Sequence, residues 1–162
     1  MSKALQLPSG ATTVRVRAID TTTNMMCNAS AFIEPVLKGH EQLNFKTMCF
    51  LVENEALNKR ILKDFWNTSL HTREMIGGYV SCLKVEKGVD EILVDSNFDL
   101  DTLDAIIWSH WHWDHIGDAS KFHAHTDIVV GPGFKAEFLP GYPEDPEGWI
   151  LSSDTEQVNS SM

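Results

Sequence analysis

Four side chains that commonly bind metal ions lie within six consecutive positions of the sequence. The segment HWHWDH contains His110, His112, Asp114 and His115. Imidazole nitrogens and carboxylate oxygens bind Zn²⁺ at about 2.0–2.2 Å, and neutral imidazole also suits iron, copper or nickel. A single histidine is more often a surface or hydrogen-bonded residue, but this density directly after an apolar segment is typical of a metal site. The sequence therefore predicts that these four side chains bind metal, and it leaves the metal open.

A short apolar segment precedes the cluster and must position it. Residues 104–109 predict a buried strand that leads directly into His110. If the extended conformation continues, His110 and His112 project to the same side, because side chains alternate along a strand. A helix is predicted over 114–122, with Asp114 near its N-cap. The four ligands would then surround a small volume at the carboxyl end of a strand.

Three tryptophans lie beside and within the cluster, namely Trp108, Trp111 and Trp113. We interpret them as packing groups rather than as chemical groups. They would form an apolar shell that shapes the site and limits the access of water.

The remaining periodicity outlines a domain of strands followed by alternating helices and strands. Strands are predicted over 12–20, 46–54, 59–64 and 126–131, and helices over 88–97 and 132–139, with a weaker helix inside 64–80 that stops at Gly77–Gly78. The segment NEALN predicts a hairpin connection between the second and third of these strands. This order favours an α/β or α+β domain. Residues 1–151 are assigned to it, and the polar residues 152–162 to a disordered tail.

Composition restricts the class of protein and its partners. The chain has 162 residues, of which 43% are hydrophobic, and a formal net charge of −10. This charge disfavours binding to nucleic acid and to anionic membranes. No apolar run approaches the roughly 18–20 residues that cross a bilayer, and the N-terminus lacks the pattern of a secretory signal. We therefore predict a cytoplasmic location, and we expect Cys27, Cys49 and Cys82 to be buried or half-buried thiols.

The segment HWHWDH resembles the HxHxDH signature of the metallo-β-lactamase superfamily. The preceding LDAIIWS and the following IGD fit as well, and the resemblance runs through most of residues 12–150. It is strongest to a fungal lactonase or lactamase-type branch, similar to acyl-homoserine lactonases and benzoxazolinone-opening lactamases. It implies an αββα sandwich, of which this chain holds the N-terminal half and a little more, and a site that holds two Zn²⁺ ions when complete.

The resemblance also assigns roles to the four clustered residues. The residues matching His110 and His112 would bind one metal, and those matching Asp114 and His115 the second. Asp114 would in addition be catalytic, because the matching aspartate acts on the attacking water. The implied activity is ring opening of a small-molecule lactam or lactone, in the detoxification of xenobiotics or secondary metabolites, with the metals polarising the ring carbonyl.

The chain also departs from the family pattern. The family uses a further histidine, a bridging aspartate and a final histidine downstream, whereas here only His123 and His125 follow, and we interpret both as surface residues. The segment KRILKDFW lacks the Asp-Gly loop expected beneath the metals. These departures suggest a truncated chain and a weakened activity.

Two alternatives to the hydrolase hypothesis therefore remain open. The chain could be a non-catalytic truncated paralogue that pairs with another chain, which predicts a homo- or hetero-oligomer formed through the exposed half of the sandwich. A third hypothesis is an oxygenase or sulfur dioxygenase that uses one iron. Metal content separates these classes, because iron favours the oxygenase and zinc the hydrolase.

Overall fold

The computed structural model describes residue 10, residues 12–64, residue 74 and residues 76–155. Eight strands lie in this part of the chain: β1 (Arg15–Asp20), β2 (Thr23–Asn28), β3 (Gln42–Phe45), β4 (Met48–Asn54), β5 (Lys59–Lys63), β6 (Val80–Val85), β7 (Ala105–Ile107) and β8 (Asp127–Val129). The α-helices described are α1 (Val89–Asp95), α2 (Trp113–Ile116), α3 (Phe134–Phe138) and α4 (Ser152–Thr155). Mixed sheets and helices confirm the predicted α/β class. None of the described helices is long and apolar enough to cross a membrane.

A five-stranded sheet carries the residues that lead into the histidine cluster. Its strand order is β1-β4-β5-β7-β8. The β1–β4 and β4–β5 pairs are antiparallel, and the second is the predicted hairpin. The β5–β7 and β7–β8 pairs are parallel. The carboxyl ends of β5, β7 and β8 therefore meet at one edge of the sheet, which is where α/β proteins commonly place their sites.

One face of this sheet is the core of the molecule. Leu51, Leu62, Ile106 and Ile128 occupy one continuous register row across β4, β5, β7 and β8, and all four are buried. Helical residues pack over this row and complete the core: Val89, Leu93, Ile116 and Phe134. The row fixes the register, because a slip of one residue would move these side chains to the opposite face.

The opposite face of the same sheet carries apolar side chains that the described residues leave exposed. Val16, Met48 and Phe50 lie on this face, and each is exposed. They belong to β1 and β4, at one side of the sheet. We refer to this surface, defined by Val16, Met48 and Phe50, as the open sheet face.

A second, three-stranded sheet has the order β3-β2-β6 and is antiparallel. The sequence predicts none of its strands. β2 begins at Thr23, with two residues between it and the end of β1, and its Met25 and Cys27 alternate into the interior. Polar residues in β2 and β3 make this alternation hard to recognise in the sequence. Strand formation here depends on the pairing of the strands with one another, which local sequence does not reveal.

The helix expected over 114–122 is wrong in length. A single turn, α2, ends at Gly117, whose φ is 59°, and a 3-10 turn follows at Ala119–Lys121. Glycine adopts this left-handed conformation without steric cost, so the chain turns sharply after the cluster.

Two further predictions fall partly outside the described residues. Most of the weak helix inside 64–80 does so, although Glu74 and Ile76 are helical and a turn begins at Gly77. Residues 152–155 of the predicted tail form α4, whereas 156–162 lie outside the described residues. The domain boundary at residue 151 stays a prediction.

Candidate metal centre

The cluster lies where the parallel strands end. The chain leaves β7 at Ile107 and reaches His110 after a bend, so the extended conformation expected as far as His112 stops earlier. His110 and His112 nevertheless lie together, with ring centroids 4.5 Å apart. The centroid of His115 is 4.2 Å from that of His110. The turn after β7 and the short helix α2 thus bring the three imidazoles into one group.

The last two residues of the cluster are spaced as neighbouring metal ligands would be. His115 Nε2 lies 3.4 Å from Asp114 Oδ2. Two donors on adjacent corners of a tetrahedron around Zn²⁺, each about 2.0–2.2 Å from the ion, are roughly 3.3–3.6 Å apart. This pair therefore fits one metal ion in donor type and in spacing.

A fifth side chain, Asp64, joins the group from the end of β5. Its Oδ1 accepts a hydrogen bond from the Ser109 backbone N–H at 2.9 Å, and its Oδ2 lies 3.7 Å from His115 Nδ1. Its own N–H donates to the Ile107 carbonyl at 3.1 Å. Asp64 has a φ of 49°, in the left-handed region that aspartate tolerates better than most residues.

Sequence reasoning missed Asp64 as a site residue. The segment KRILKDFW was interpreted as lacking the Asp-Gly loop expected beneath the metals, yet Asp64 of that segment lies beside His115. The available signal was an acidic residue directly after a strand, at the sheet edge where the cluster lies. The parallel pairing of β5 with β7 makes the two neighbours, and this pairing is not apparent from local sequence.

Hydrogen bonds and charges in the cluster lower the pKa of Asp114 and shift the pKa values of His110 and His115 in opposite directions. Burial raises the pKa of Asp114, but the hydrogen bond and charge of His115 outweigh it and hold that pKa below its usual value. The same bond to Asp114 raises the pKa of His115. Burial, together with the neighbouring His115 and His112, lowers the pKa of His110. Neutral imidazole is the form that binds a metal ion.

Ser109 holds two of the imidazoles in place. Its Oγ lies 2.9 Å from His110 Nδ1 and 3.5 Å from His115 Nδ1. A hydrogen bond at one ring nitrogen fixes the orientation of the other, which is how neighbouring groups orient metal-binding histidines. Ser109 was not singled out from the sequence.

The complete donor set does not close around one point. Among the residues that the structure describes, no group of three or more His, Cys, Asp or Glu side chains is arranged so that it could hold a metal ion. The Asp114–His115 pair fits a metal, and His110 and His112 match it in chemical type and proximity. His123 and His125 are exposed, as expected, and their rings pair with each other.

The tryptophans are packing groups in two different environments. Trp108 is buried against Phe134, with ring centroids 5.8 Å apart. Trp111, which separates His110 from His112 in sequence, stacks on Phe138 at 5.3 Å. Through these contacts the segment that contains the histidine cluster packs against α3.

The fold and the HxHxDH cluster define a metallo-β-lactamase-type domain. Residues 67–155, more than half of the chain, match the family model described as "Metallo-beta-lactamase superfamily". The chain belongs to this superfamily.

The relatives of this chain include fungal proteins, in agreement with the predicted fungal lactonase or lactamase-type branch. The chain is 40% identical over 149 residues to "Gamma-lactamase FDB1" of Fusarium pseudograminearum, a match that covers 85% of this chain and 36% of that protein. It is 35% identical over 167 residues to "Metallo-hydrolase mfmC" of Annulohypoxylon moriforme, which covers 94% and 42%. The chain thus spans about two fifths of the length of these relatives.

Solved structures of lactone hydrolases share the fold. One is an N-acyl homoserine lactone hydrolase with the product N-hexanoyl-L-homoserine bound at its catalytic metal centre. It aligns with a TM-score of 0.65 at 23% sequence identity, over 89% of this chain and 57% of that one. The chain therefore has the fold of slightly more than half of such a structure, which confirms the predicted α/β sandwich class.

Proposed function

We propose that this chain carries the first part of the metal site of a hydrolase that opens a cyclic amide or ester, that is, a lactam or a lactone. The observation that supports this most directly is the 3.4 Å separation of Asp114 Oδ2 and His115 Nε2 beside the neighbouring rings of His110 and His112, which meet edge to face. The names of the two fungal relatives and the fold shared with a lactone hydrolase support the same class.

Zn²⁺ is the proposed cofactor, with two ions in a complete site of this family. His110 and His112 would hold one ion, and Asp114 and His115 the other. Bound there, zinc would polarise the ring carbonyl and lower the pKa of water to near 7. Asp114, an ionised carboxylate at this position, would orient the attacking water, and Asp64 and Ser109 would keep His115 and His110 in place.

Metal content tests this proposal directly. The purified chain is incubated with Zn²⁺, dialysed and analysed for zinc per chain, beside His112→Ala and a matched control, His123→Ala. We expect the wild type and the control to retain zinc and His112→Ala to lose most of it. Equal zinc in wild type and His112→Ala would show that the cluster does not hold the metal. Retained iron in place of zinc would favour the oxygenase hypothesis.

Turnover gives the second measurement. With only these ligands supplied, we expect weak zinc binding and slow ring opening of a γ-lactam or an acyl-homoserine lactone. A chelator should abolish the reaction and added zinc should restore it. Two tightly held zinc ions with rapid turnover would contradict the expectation that the isolated chain is a weak catalyst.

A second candidate function is pairing with another chain, without catalysis. The open sheet face supports it, because an apolar side chain on this face, Val16, has 57% of its surface exposed. Contiguous exposed apolar surface commonly marks an interaction site. Such pairing would be with a second copy or with a longer relative.

Sedimentation velocity over a range of concentrations measures this association. We expect dimerisation of the wild type and its loss in Val16→Lys, since a charge is costly to bury in an apolar interface. Val94→Lys, at an exposed valine of α1, is the control and should dimerise as the wild type does. A wild type that stays monomeric at every concentration would refute the pairing hypothesis.

A further inference from the structure

The surface groove beside α3 has an aromatic floor. Its volume is about 280 Å³, and Phe138 and Trp149 line it. Trp111 supports both rings from behind, at 5.3 Å from Phe138 and 5.6 Å from Trp149. Trp149 is nevertheless 53% exposed. An indole ring that is held by neighbouring rings and is half open to solvent is available to contact a ligand.

The rim of the groove is acidic. Glu137, Glu144, Asp145 and Glu147 line it, and no Lys or Arg does so among the described residues. Glu144 accepts a hydrogen bond from Ser152, whereas the carboxylates of Glu137 and Glu147 make no hydrogen bond or ion pair within the described part of the chain. The groove therefore combines an aromatic face with uncompensated negative charge, which together attract a cation.

The loop that forms the rim is closed by its own backbone. The Tyr142 N–H donates to the Ile150 carbonyl at 2.7 Å, and the Ser152 N–H donates to the Tyr142 carbonyl at 2.9 Å. At Gly141 the chain passes so close to the backbone of Ile150 that an added Cβ would lie 2.3 Å from the Ile150 carbonyl oxygen. A groove held in this way exists before binding, and so binding orders fewer groups.

The groove is of a size that suits a single side chain. Its 280 Å³ is below the roughly 300–1,000 Å³ of typical small-molecule pockets. Among cationic groups, a guanidinium suits it best, because it stacks flat on an aromatic ring while it donates in-plane hydrogen bonds to carboxylates.

We infer that the groove of Phe138 and Trp149 docks an arginine side chain presented by a basic segment of a partner protein. A second copy of this chain fits less well, because its exposed Arg15 and Arg17 are each engaged with a glutamate of their own chain. The recognition needs neither the metal centre nor its ligands.

The test uses ¹⁵N-labelled protein and the indole N–H resonance of Trp149, assigned from the spectrum of Trp149→Phe. The probe is a peptide of three Gly-Arg repeats, compared with its lysine and citrulline counterparts, at 50 mM and 300 mM NaCl. We expect a saturable shift with the arginine peptide and weaker binding of the lysine peptide. Binding should fall at the higher salt and be absent for citrulline, which is neutral.

Charge variants separate local recognition from the general negative field. Glu137→Gln with Glu147→Gln should weaken binding of the arginine peptide about three- to tenfold, because each exposed ion pair adds only modestly to the affinity. The control, Glu34→Gln with Glu86→Gln, removes the same charge elsewhere and should leave the affinity within a factor of two. Equal loss in both double variants, or equal binding of the citrulline peptide, would overturn the inference. Argininamide binding as tightly as the peptide would also overturn it, in favour of a small-cation site.

Discussion

At the scale of single residues, Asp64 connects two strands of the sheet to the histidine cluster. Its carboxylate binds the Ser109 N–H on one side and faces His115 on the other. Burial raises the pKa of Asp64, but the hydrogen bonds from Lys63 and Ser109 outweigh it and hold the pKa below its usual value. A fixed negative charge next to an imidazole orients the ring and strengthens it as a ligand.

Asp64→Asn is therefore expected to weaken zinc binding about 10- to 100-fold, because the amide keeps an acceptor for Ser109 but loses the charge that faces His115. Competition with a zinc indicator measures the affinity. Asp95→Asn is the matched control, since Asp95 also pairs with a lysine, Lys87, but lies on α1 away from the cluster. Unchanged affinity in Asp64→Asn would remove Asp64 from the site.

At the scale of elements, α4 packs against the 3-10 turn at Ala119–Lys121 and contains a buried carboxylate. Asp154 is buried in the described part of the chain. Burial, and then the charge of Asp118, raises the pKa of Asp154 from 3.8 to about 7. The folded chain thus prefers the protonated form of this acid, whereas the unfolded chain ionises it near pH 4.

The sign of the resulting pH dependence follows from the two pKa values. Below about pH 4 Asp154 is protonated in both states and has no effect. As pH rises from about 4 to about 7 the unfolded chain releases this proton while the folded chain keeps it, so stability falls, by up to about 4 kcal/mol in total from roughly three pKa units, and it changes no further above about pH 7. Asp154→Asn, which cannot ionise, should be more stable than wild type at pH 8 and similar to it at pH 4.

Urea unfolding at pH 4, 6 and 8 measures this difference. The wild type minus variant difference isolates Asp154, because all other titrating groups are common to both chains. Parallel stability curves for the two proteins would contradict the assignment of the pH dependence to α4 docking.

At the scale of the whole molecule, the row across β4, β5, β7 and β8 holds the sheet and its helices in one core. Leu62 is fully buried in the middle of that row, whereas Leu57, in the β4–β5 turn, is 65% exposed. Leu62→Ala should lower the free energy of unfolding by about 2–5 kcal/mol. Leu57→Ala, the same change in an exposed turn, should alter it by less than about 0.5 kcal/mol.

Chemical denaturation followed by tryptophan fluorescence gives both values. A cost for Leu62→Ala close to that for Leu57→Ala would mean that the sheet does not form a single cooperative core.

The sequence predicted most of the elements that carry strong local patterns. β4, β5, β7 and β8 contain apolar runs, and α1 has apolar residues at helical spacing followed by Asn97 in a left-handed conformation. The four clustered side chains were found because they are adjacent in the chain. These features depend on interactions between near neighbours, and near neighbours are visible in sequence.

The tertiary structure decided what depends on distant neighbours. β2, β3 and β6 form because they pair with one another, and Asp64 joins His115 because β5 lies parallel to β7. The groove at Trp149 needs Trp111 and Phe138, which different elements supply. The sequence by itself thus determined which side chains are candidate metal ligands, whereas the folding of β5 against β7 decided which residues lie beside them, because strand pairing acts between segments far apart in the chain.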